Sequence, residues 1–259
     1  MVAFIHHSKK RLLLAFGLFA VVMFISSSKN QTSLLHRFLQ VLPPIYEQHG
    51  GIQHFLDVAL GSDPTTDKVT THSYHVMYGI FLLPFYKKNK NMKMLEIGLG
   101  CNMRYGPGAS VLVWRALFRH AQIWEAEYDG DCVEKNADKL RNIRTLVGDQ
   151  GDPEVLDRWI KESGGNFDVI IDDGGHQNCQ IWTSFTKLWP HLNSGGLYFI
   201  EDMQVAKSKK YSQYENEKCS KDTNVPDKLK EVLDGLMYNK RNEVMFLFCQ
   251  KEACVLGKK

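Results

Sequence analysis

The sequence predicts an α/β domain built on a mostly parallel sheet, and three observations predict it. From residue 93 onward, short apolar runs alternate with amphipathic helical stretches. The first run leads into Gly98 and Gly100. Later runs end in acidic residues, at the carboxyl edge where open parallel sheets bind ligands.

The elements follow in order. Residues 93–98 read as the first strand, followed by a glycine-rich turn and a helix over 109–119. Residues 122–128 form the second strand, with a helix near 132–140; 144–147 is a short third strand, with a helix over 153–162. Residues 167–171 form the fourth strand, and the helix over 180–192 carries Trp182, Phe185 and Trp189 at packing spacing. Residues 196–200 are the fifth strand, and 227–238 is an amphipathic helix with Leu229, Val232, Leu233, Leu236 and Met237 on one face. Runs 244–249 and 253–256 make a closing hairpin, which adds an antiparallel edge.

Upstream, Leu34, Leu35, Phe38, Leu39 and Leu42 recur at helical spacing until Pro43-Pro44 breaks the pattern. Phe55, Val58 and Leu60 predict a further short helix, and 61–71 is polar and turn-rich. The chain thus divides into a basic flank and hydrophobic segment (1–28), a helical cap region (29–92) and a core (93–259).

The hydrophobic segment follows His6, Lys9, Lys10 and Arg11, carries no charge over 12–25 and ends in Ser26, Ser27 and Ser28. It is shorter than the ~20 residues a membrane span typically needs. An uncleaved signal anchor and a cleaved signal peptide both fit a basic flank and a short apolar run. The anchor is favoured; a buried core helix is not, because the run is apolar on all sides. The positive flank would stay cytoplasmic and send the rest of the chain into the lumen of the secretory pathway. Cleavage would give a secreted protein instead. Asn30-Gln31-Thr32 is a glycosylation sequon consistent with that topology.

The 259 residues are enough for one sizeable core, and 44% apolar with 24% charged residues is ordinary for a globular protein. A net charge of +3 gives no case for nucleic-acid binding. None of the six cysteines form a CxxC pair, which disfavours zinc. Most read as buried thiols; Cys249 and Cys254 flank the hairpin turn, which leaves a pairing open to them in a lumenal domain, although spacing alone does not show the geometry a disulfide needs.

The strand over 93–98 carries Glu96 just before the glycines that let backbone approach a ligand. A pyrophosphate disfavours a nearby carboxylate, whereas the cationic methionine group of S-adenosylmethionine tolerates one. Gly98 and Gly100 are therefore expected at such a cofactor, with Glu96 near it. Glu127 ends the second strand, where a carboxylate accepts ribose hydroxyls; Asp129 is the alternative. Asp149 and Gln150 follow the third strand and are placed near the adenine amino group, although Asp149 alone also suits a loop cap.

Asp172-Asp173-Gly174-Gly175-His176 ends the fourth strand and Glu201-Asp202-Met203 the fifth. Four carboxylates at one sheet edge repel one another unless something positive lies among them. A hard divalent cation such as Mg²⁺ meets that need, with Asp173, Glu201 and Asp202 as ligands and Asp172 left on the cofactor side. Solvated loop acids are the plainer alternative. His176 is placed as the base that takes a proton from a substrate hydroxyl.

These motifs resemble the macrolide and sugar O-methyltransferases of the mycinamycin and tylosin type, which share a broader family with proteins labelled rhamnosyl O-methyltransferase or cephalosporin hydroxylase. The matching residues are Thr66-Asp67-Lys68 with His72 and Tyr74; Glu96 to Gly100; Gly108-Ala109-Ser110 with Trp114-Arg115; Gly148-Asp149-Gln150 with Asp152; Asp172 to His176; and Glu201-Asp202-Met203. The resemblance implies a Rossmann-like class I methyltransferase fold, S-adenosylmethionine, Mg²⁺ on Asp173, Glu201 and Asp202, and His176 as base. It also implies that Lys68, His72 and Tyr74 lie near the cofactor. Gly175 stands where the family usually has serine, and the segment Trp124 to Glu127 is more acidic than usual. The sequence is also similar to fungal proteins named for induction by hard surfaces, a label that carries no chemistry.

The expected activity is methyl transfer to a hydroxyl of a sugar, a glycan or a secondary metabolite. A catalytically inactive, membrane-tethered binding protein is the alternative, and Glu96 disfavours a nucleotide-dependent oxidoreductase. Residues 204–226, with Lys207, Lys209, Lys210, Tyr211 and Tyr214, are placed to cover the site or to form a solvated loop.

Overall fold

A computed structural model of the chain describes residues 45–208, 224–238 and 243–259. The hydrophobic segment, the sequon and most of the loop with Lys209, Lys210, Tyr211 and Tyr214 lie outside the described residues. Among the described residues no helix is long and apolar enough to cross a membrane. The chain divides into residues 1–49 and 50–259, and the sheet and the candidate site belong to the second unit.

Seven strands form one sheet in the order β3-β2-β1-β4-β5-β7-β6. They are β1 (Lys93–Ile97), β2 (Gln122–Glu127), β3 (Arg144–Val147), β4 (Phe167–Asp172), β5 (Leu192–Ile200), β6 (Val244–Gln250) and β7 (Ala253–Lys258). β1 to β5 pair in parallel, and β7 runs antiparallel to both β5 and β6. The expected alternation and closing hairpin are therefore present. β5 begins four residues earlier than expected, because the helix before it stops at Leu188 and a 3₁₀ turn over Trp189–His191 redirects the chain.

The helices are α1 (Ile45–Leu60), α2 (Asp67–Thr70), α3 (His75–Met77), α4 (Leu83–Lys88), α5 (Ala109–Leu117), α6 (Gly130–Lys135), α7 (Pro153–Ser163), α8 (Asn178–Leu188) and α9 (Val225–Met237). A π-helical turn, Tyr78–Leu82, joins α3 to α4. The short helix expected near Phe55 is the end of the longer α1, which runs through Gly50-Gly51. A Cβ on Gly51 would lie 2.5 Å from the Gly79 carbonyl oxygen, so two backbones touch where both residues are glycine.

Strand periodicity sorts the two faces of the sheet. Leu95, Ile97, Ile170, Tyr198 and Ile200 pack with Leu156, Trp159 and Phe185 of α7 and α8. Met94, Val169, Ile171 and Phe199 pack with Phe55, Tyr78 and Trp114 on the other face. The same alternation sends Glu96 and Glu201 to the second face, beside Trp114 and Tyr78, and Asp172 to the first, beside Ser184. Neighbouring Asp172 and Asp173 therefore do different work.

Candidate active site

The turn after β1 is fixed by backbone geometry. Gly98 has φ +108° and a Cβ there would lie 2.2 Å from the Asp173 carbonyl oxygen. Gly100 has φ +81° and a milder 3.3 Å approach to Met103. Only glycine permits so close a passage of the β1 turn against the end of β4.

Behind this turn, Lys68 is buried at 1% exposure. Its Nζ lies 2.5 Å from Asp173 Oδ2, 2.5 Å from Glu201 Oε2 and 3.4 Å from Glu96 Oε1. Burial alone would lower its ammonium, but Asp173, Glu201 and Glu96 hold it above the usual lysine range. Burial pushes the Glu201, Asp173 and Glu96 carboxyls up, and Lys68 opposes this without cancelling it. The Tyr78 hydroxyl donates to Glu201 Oε1, and Ser110 Oγ (2.8 Å) and Trp114 Nε1 (2.7 Å) donate to Glu96 Oε2.

A second shell of contacts surrounds Asp202, which stands at φ +54°. The Tyr74 hydroxyl donates to Asp202 Oδ1 at 2.6 Å and accepts from the Asp202 amide at 3.1 Å. His176 Nε2 lies 3.5 Å from Asp202 Oδ2, and His72 Nε2 3.6 Å from Oδ1. Burial would raise the Asp202 carboxyl, but Tyr74, His176, Gln204 and His72 together hold it below its ordinary value. His72 stacks on the Tyr74 ring at 4.8 Å and meets Glu252 Oε2 at 2.7 Å through Nδ1.

The structure thus gathers Lys68, Tyr74, Glu96, Asp173, His176, Glu201 and Asp202 into one network. It separates the other expected residues. Glu127 lines an open cleft of about 480 Å³ with Asn102, Tyr128, Asp129, Gly130 and Asp131. Its oxygens accept from the Leu99 and Asp129 amides, both at 3.1 Å. Asp149 caps its own loop through the Gly151 amide (2.7 Å) and accepts from Gln180 (3.0 Å). Gln150 is turned inward: it donates to Asp172 Oδ1 at 2.8 Å and accepts from the Gly175 amide at 2.6 Å. Asp172 also accepts from Ser184 and from Tyr198. Gln150 and Asp172 therefore brace the ends of β3 and β4 from within, on the sheet face away from Lys68, and Glu96 is closed off beneath Lys68 at 0% exposure.

The expected metal ligands have the hard oxygen chemistry that Mg²⁺ requires. As placed, Lys68 fills the cation's position: among the described residues no three His, Cys, Asp or Glu side chains converge on a metal position. The ammonium meets the electrostatic need from which the metal was inferred, so an ion joining Asp173 and Glu201 must displace Lys68 from between them.

Four contributors escaped sequence reasoning. Tyr78 lies one helical turn after Tyr74, a spacing that pointed to it. Glu252 sits at φ +71° in the β6–β7 turn and carried no local signal. Glu125 is paired with Glu96 in the β1–β2 register and is 1% exposed, and neither of its oxygens meets a hydrogen-bond donor. Burial and the Glu96 charge push its carboxyl up. An acid inside a buried strand was its signal. The fourth is the cysteine pairing: Cys101 bonds Cys132, Cys249 bonds Cys254 as the hairpin spacing allowed, and Cys179 is disulfide-bonded too. The expectation of mostly free thiols is corrected.

No family model matches the chain. It is 45% identical over 122 residues to a mycinamicin VI 2''-O-methyltransferase of Micromonospora griseorubida, covering 46% of this chain and 29% of that one. It is 39% identical over 121 residues to a demethylmacrocin O-methyltransferase of Streptomyces fradiae, covering 46% and 29%. The MycE methyltransferase of the mycinamycin pathway, solved with Mg, SAH and mycinamycin VI, superposes with a TM-score of 0.66 at 30% identity, over 79% of this chain and 54% of that one. The chain spans about a third of the curated relatives' length and about half of the solved one's. It is similar in sequence to macrolide and sugar O-methyltransferases over those stretches, and its mostly parallel sheet with an antiparallel edge is the fold it shares with the mycinamycin enzyme.

Proposed function

We propose that the chain binds S-adenosylmethionine and transfers its methyl group to a hydroxyl of a sugar, glycan or secondary metabolite, with Mg²⁺ as a second cofactor. The observation that carries this reading is the contact of Gly98 with Asp173, because it joins the glycine turn directly to the acid and histidine cluster.

In this reading the nucleoside lies along the β1 turn and the Glu127 cleft, with lone pairs of Glu127 or Asp129 towards the ribose and Asp149 at the rim. His176 takes the proton of the acceptor hydroxyl. Asp202, held ionised, faces His176 Nε2 at 3.5 Å and stabilises the imidazolium that forms. Tyr74 and His72 fix the Asp202 carboxylate from its other side. When bound by Asp173, Glu201 and Asp202, Mg²⁺ supplies charge that orients the acceptor hydroxyl and lowers its pKa. Lys68 keeps Asp173 and Glu201 together in the ion's absence.

The bonded cysteines support an oxidising compartment. With the segment over 12–25 they support a lumenal domain held by an N-terminal anchor, or a secreted one if that segment is cleaved. A glycosidase-sensitive mass shift lost in Asn30→Gln supports either topology, and membrane extraction separates the two.

The test is thermal stability of the full chain with S-adenosylmethionine, with and without Mg²⁺, beside Asp173→Ala. A ligand at 100 times its Kd adds about 2.7 kcal/mol. Stabilisation by the cofactor, with a Mg²⁺ increment lost in Asp173→Ala, supports the reading. Stabilisation by NADH instead, or by none of these, rejects it.

A further inference from the structure

The two walls of the Glu127 cleft come from different parts of the sheet. One is the loop after β1, which supplies Asn102; the other is the segment from the end of β2 into α6, which supplies Tyr128 to Asp131. Cys101 precedes Asn102, Cys132 follows Asp131, and the two are bonded. The bridge therefore ties the two walls of the cleft together covalently.

The first wall has other contacts: the Gly108 amide donates to the Leu99 carbonyl, and Tyr105 hydrogen-bonds Asp67. The turns Met103 N to Gly100 O and Gly106 N to Met103 O are internal to it, and Asn102, Met103 and Arg104 are exposed. Two hydrogen bonds reach across to β2, from the Gly98 amide to the Ala126 carbonyl and from the Leu99 amide to Glu127. The Cys101 side chain packs on the small cluster of Leu99, Val111 and Leu140 with Val133 of α6. The second wall is ordered by its own cap, with Asp129 Oδ1 accepting from the Cys132 amide at 3.0 Å.

We propose that Cys101 and Cys132 are a positioning pair for the cofactor: their bond holds the cleft walls at the spacing the nucleoside requires. The inference rests on the cofactor reading above. A dithiol reductant reverses it, giving two electrons and two protons to the S–S bond, which becomes two thiols as the reductant closes to a cyclic disulfide. The freed loop must then be ordered at the moment of binding, and affinity falls.

The full oxidised chain is titrated calorimetrically with S-adenosylhomocysteine, alongside Cys101→Ser/Cys132→Ser and Cys249→Ser/Cys254→Ser. The expected result is a Kd raised about ten-fold for the first pair and unchanged for the second. A folded first-pair variant that binds within about two-fold of wild type overturns the inference alone. If the wild type binds no S-adenosylhomocysteine, the cofactor reading falls and takes this inference with it. A second measurement needs no variant. During limited reduction by dithiothreitol, alkylation and mass spectrometry follow each bridge. Saturating S-adenosylhomocysteine should slow opening of Cys101–Cys132 and leave Cys249–Cys254 unaffected, because a ligand protects the form it binds. Equal rates with and without the ligand overturn the proposal.

Discussion

Replacing Lys68 with methionine keeps the side chain unbranched, one heavy atom shorter, and removes one buried positive charge. Three carboxylates then face one another without it, since Nζ lies 2.5, 2.5 and 3.4 Å from Asp173, Glu201 and Glu96. Removing one partner of a buried ion pair typically costs about 3–5 kcal/mol. The structure offers an independent limit on that cost. A carboxylate that cannot stay charged takes a proton, and at about pH 7 this costs about 3.7 kcal/mol for a glutamate of ordinary pKa. At about pH 5 the same protonation costs about 1 kcal/mol. Loss of Lys68 raises the folded-state pKa of these acids further above the unfolded values. Their contribution is then fully present below the unfolded pKa and lost as pH rises through the folded one.

The expected deficit of Lys68→Met is thus about 4 kcal/mol at neutral pH, shrinking to about 1 kcal/mol in mild acid. Urea unfolding followed by tryptophan fluorescence measures it at both pH values. Mg²⁺ adds a further arm: it should restore stability to the variant at neutral pH, because the place between Asp173 and Glu201 is then open to it. A deficit below about 1 kcal/mol at neutral pH, or one independent of pH, would refute the electrostatic account.

Two other variants test the frame around the site. Gly98→Ala combines φ +108° with a Cβ 2.2 Å from a carbonyl oxygen, whereas Gly100→Ala meets only a Met103 side chain at 3.3 Å. The first should cost about 2–6 kcal/mol and the second about 1–2, so an inverted order of unfolding midpoints would count against the close-approach argument. Burial raises the Asp172 carboxyl from 3.8 to about 6, against the pull of Ser184 and Gln150. Its stabilising share is present below the unfolded pKa and lost as pH rises through about 6, a change of about 3 kcal/mol. Asp172→Asn does not titrate, so its deficit against wild type should shrink between about pH 4 and pH 7.5; a constant deficit would show that Asp172 does not titrate as its burial requires.

The strands, the glycine turn and the acids at the strand ends were legible because each is written in a few adjacent residues. Gly98, Asp173 and Glu201 could be placed at one sheet edge from strand order alone. The assignments that shifted depended on which way a side chain faces. Asp172 and Asp173 are neighbours, and period-2 alternation sends them to opposite faces, one to Gln150 and Ser184 and the other to Lys68. Lys68 is named only through the resemblance of Thr66-Asp67-Lys68, as a residue near the cofactor; its partners lie 105 and 133 residues away, so no local pattern in a polar, turn-rich stretch announces its buried ion pairs. The Cys101–Cys132 pairing was illegible for the same reason: the two are 31 residues apart and meet only because β1 and β2 are neighbours.

The charges in the network do not balance, and this has a measurable consequence. One ammonium faces Glu96, Asp173 and Glu201, with buried Glu125 paired beside Glu96. The missing positive charge can come from protons, from a divalent ion or from the sulfonium of S-adenosylmethionine, and the three compete. A cation that binds must therefore expel protons, as metal binding at protonated ligands does. S-adenosylhomocysteine has the same nucleoside and no sulfonium charge, so it should expel fewer. Calorimetric titrations in buffers of different ionisation enthalpy count the protons released. More released by S-adenosylmethionine than by S-adenosylhomocysteine, with the difference narrowing once Mg²⁺ saturates the site, is the expected result. Equal release by the two ligands would mean that the sulfonium lies beyond the reach of these carboxylates, and that the methyl donor is bound by the Glu127 cleft alone.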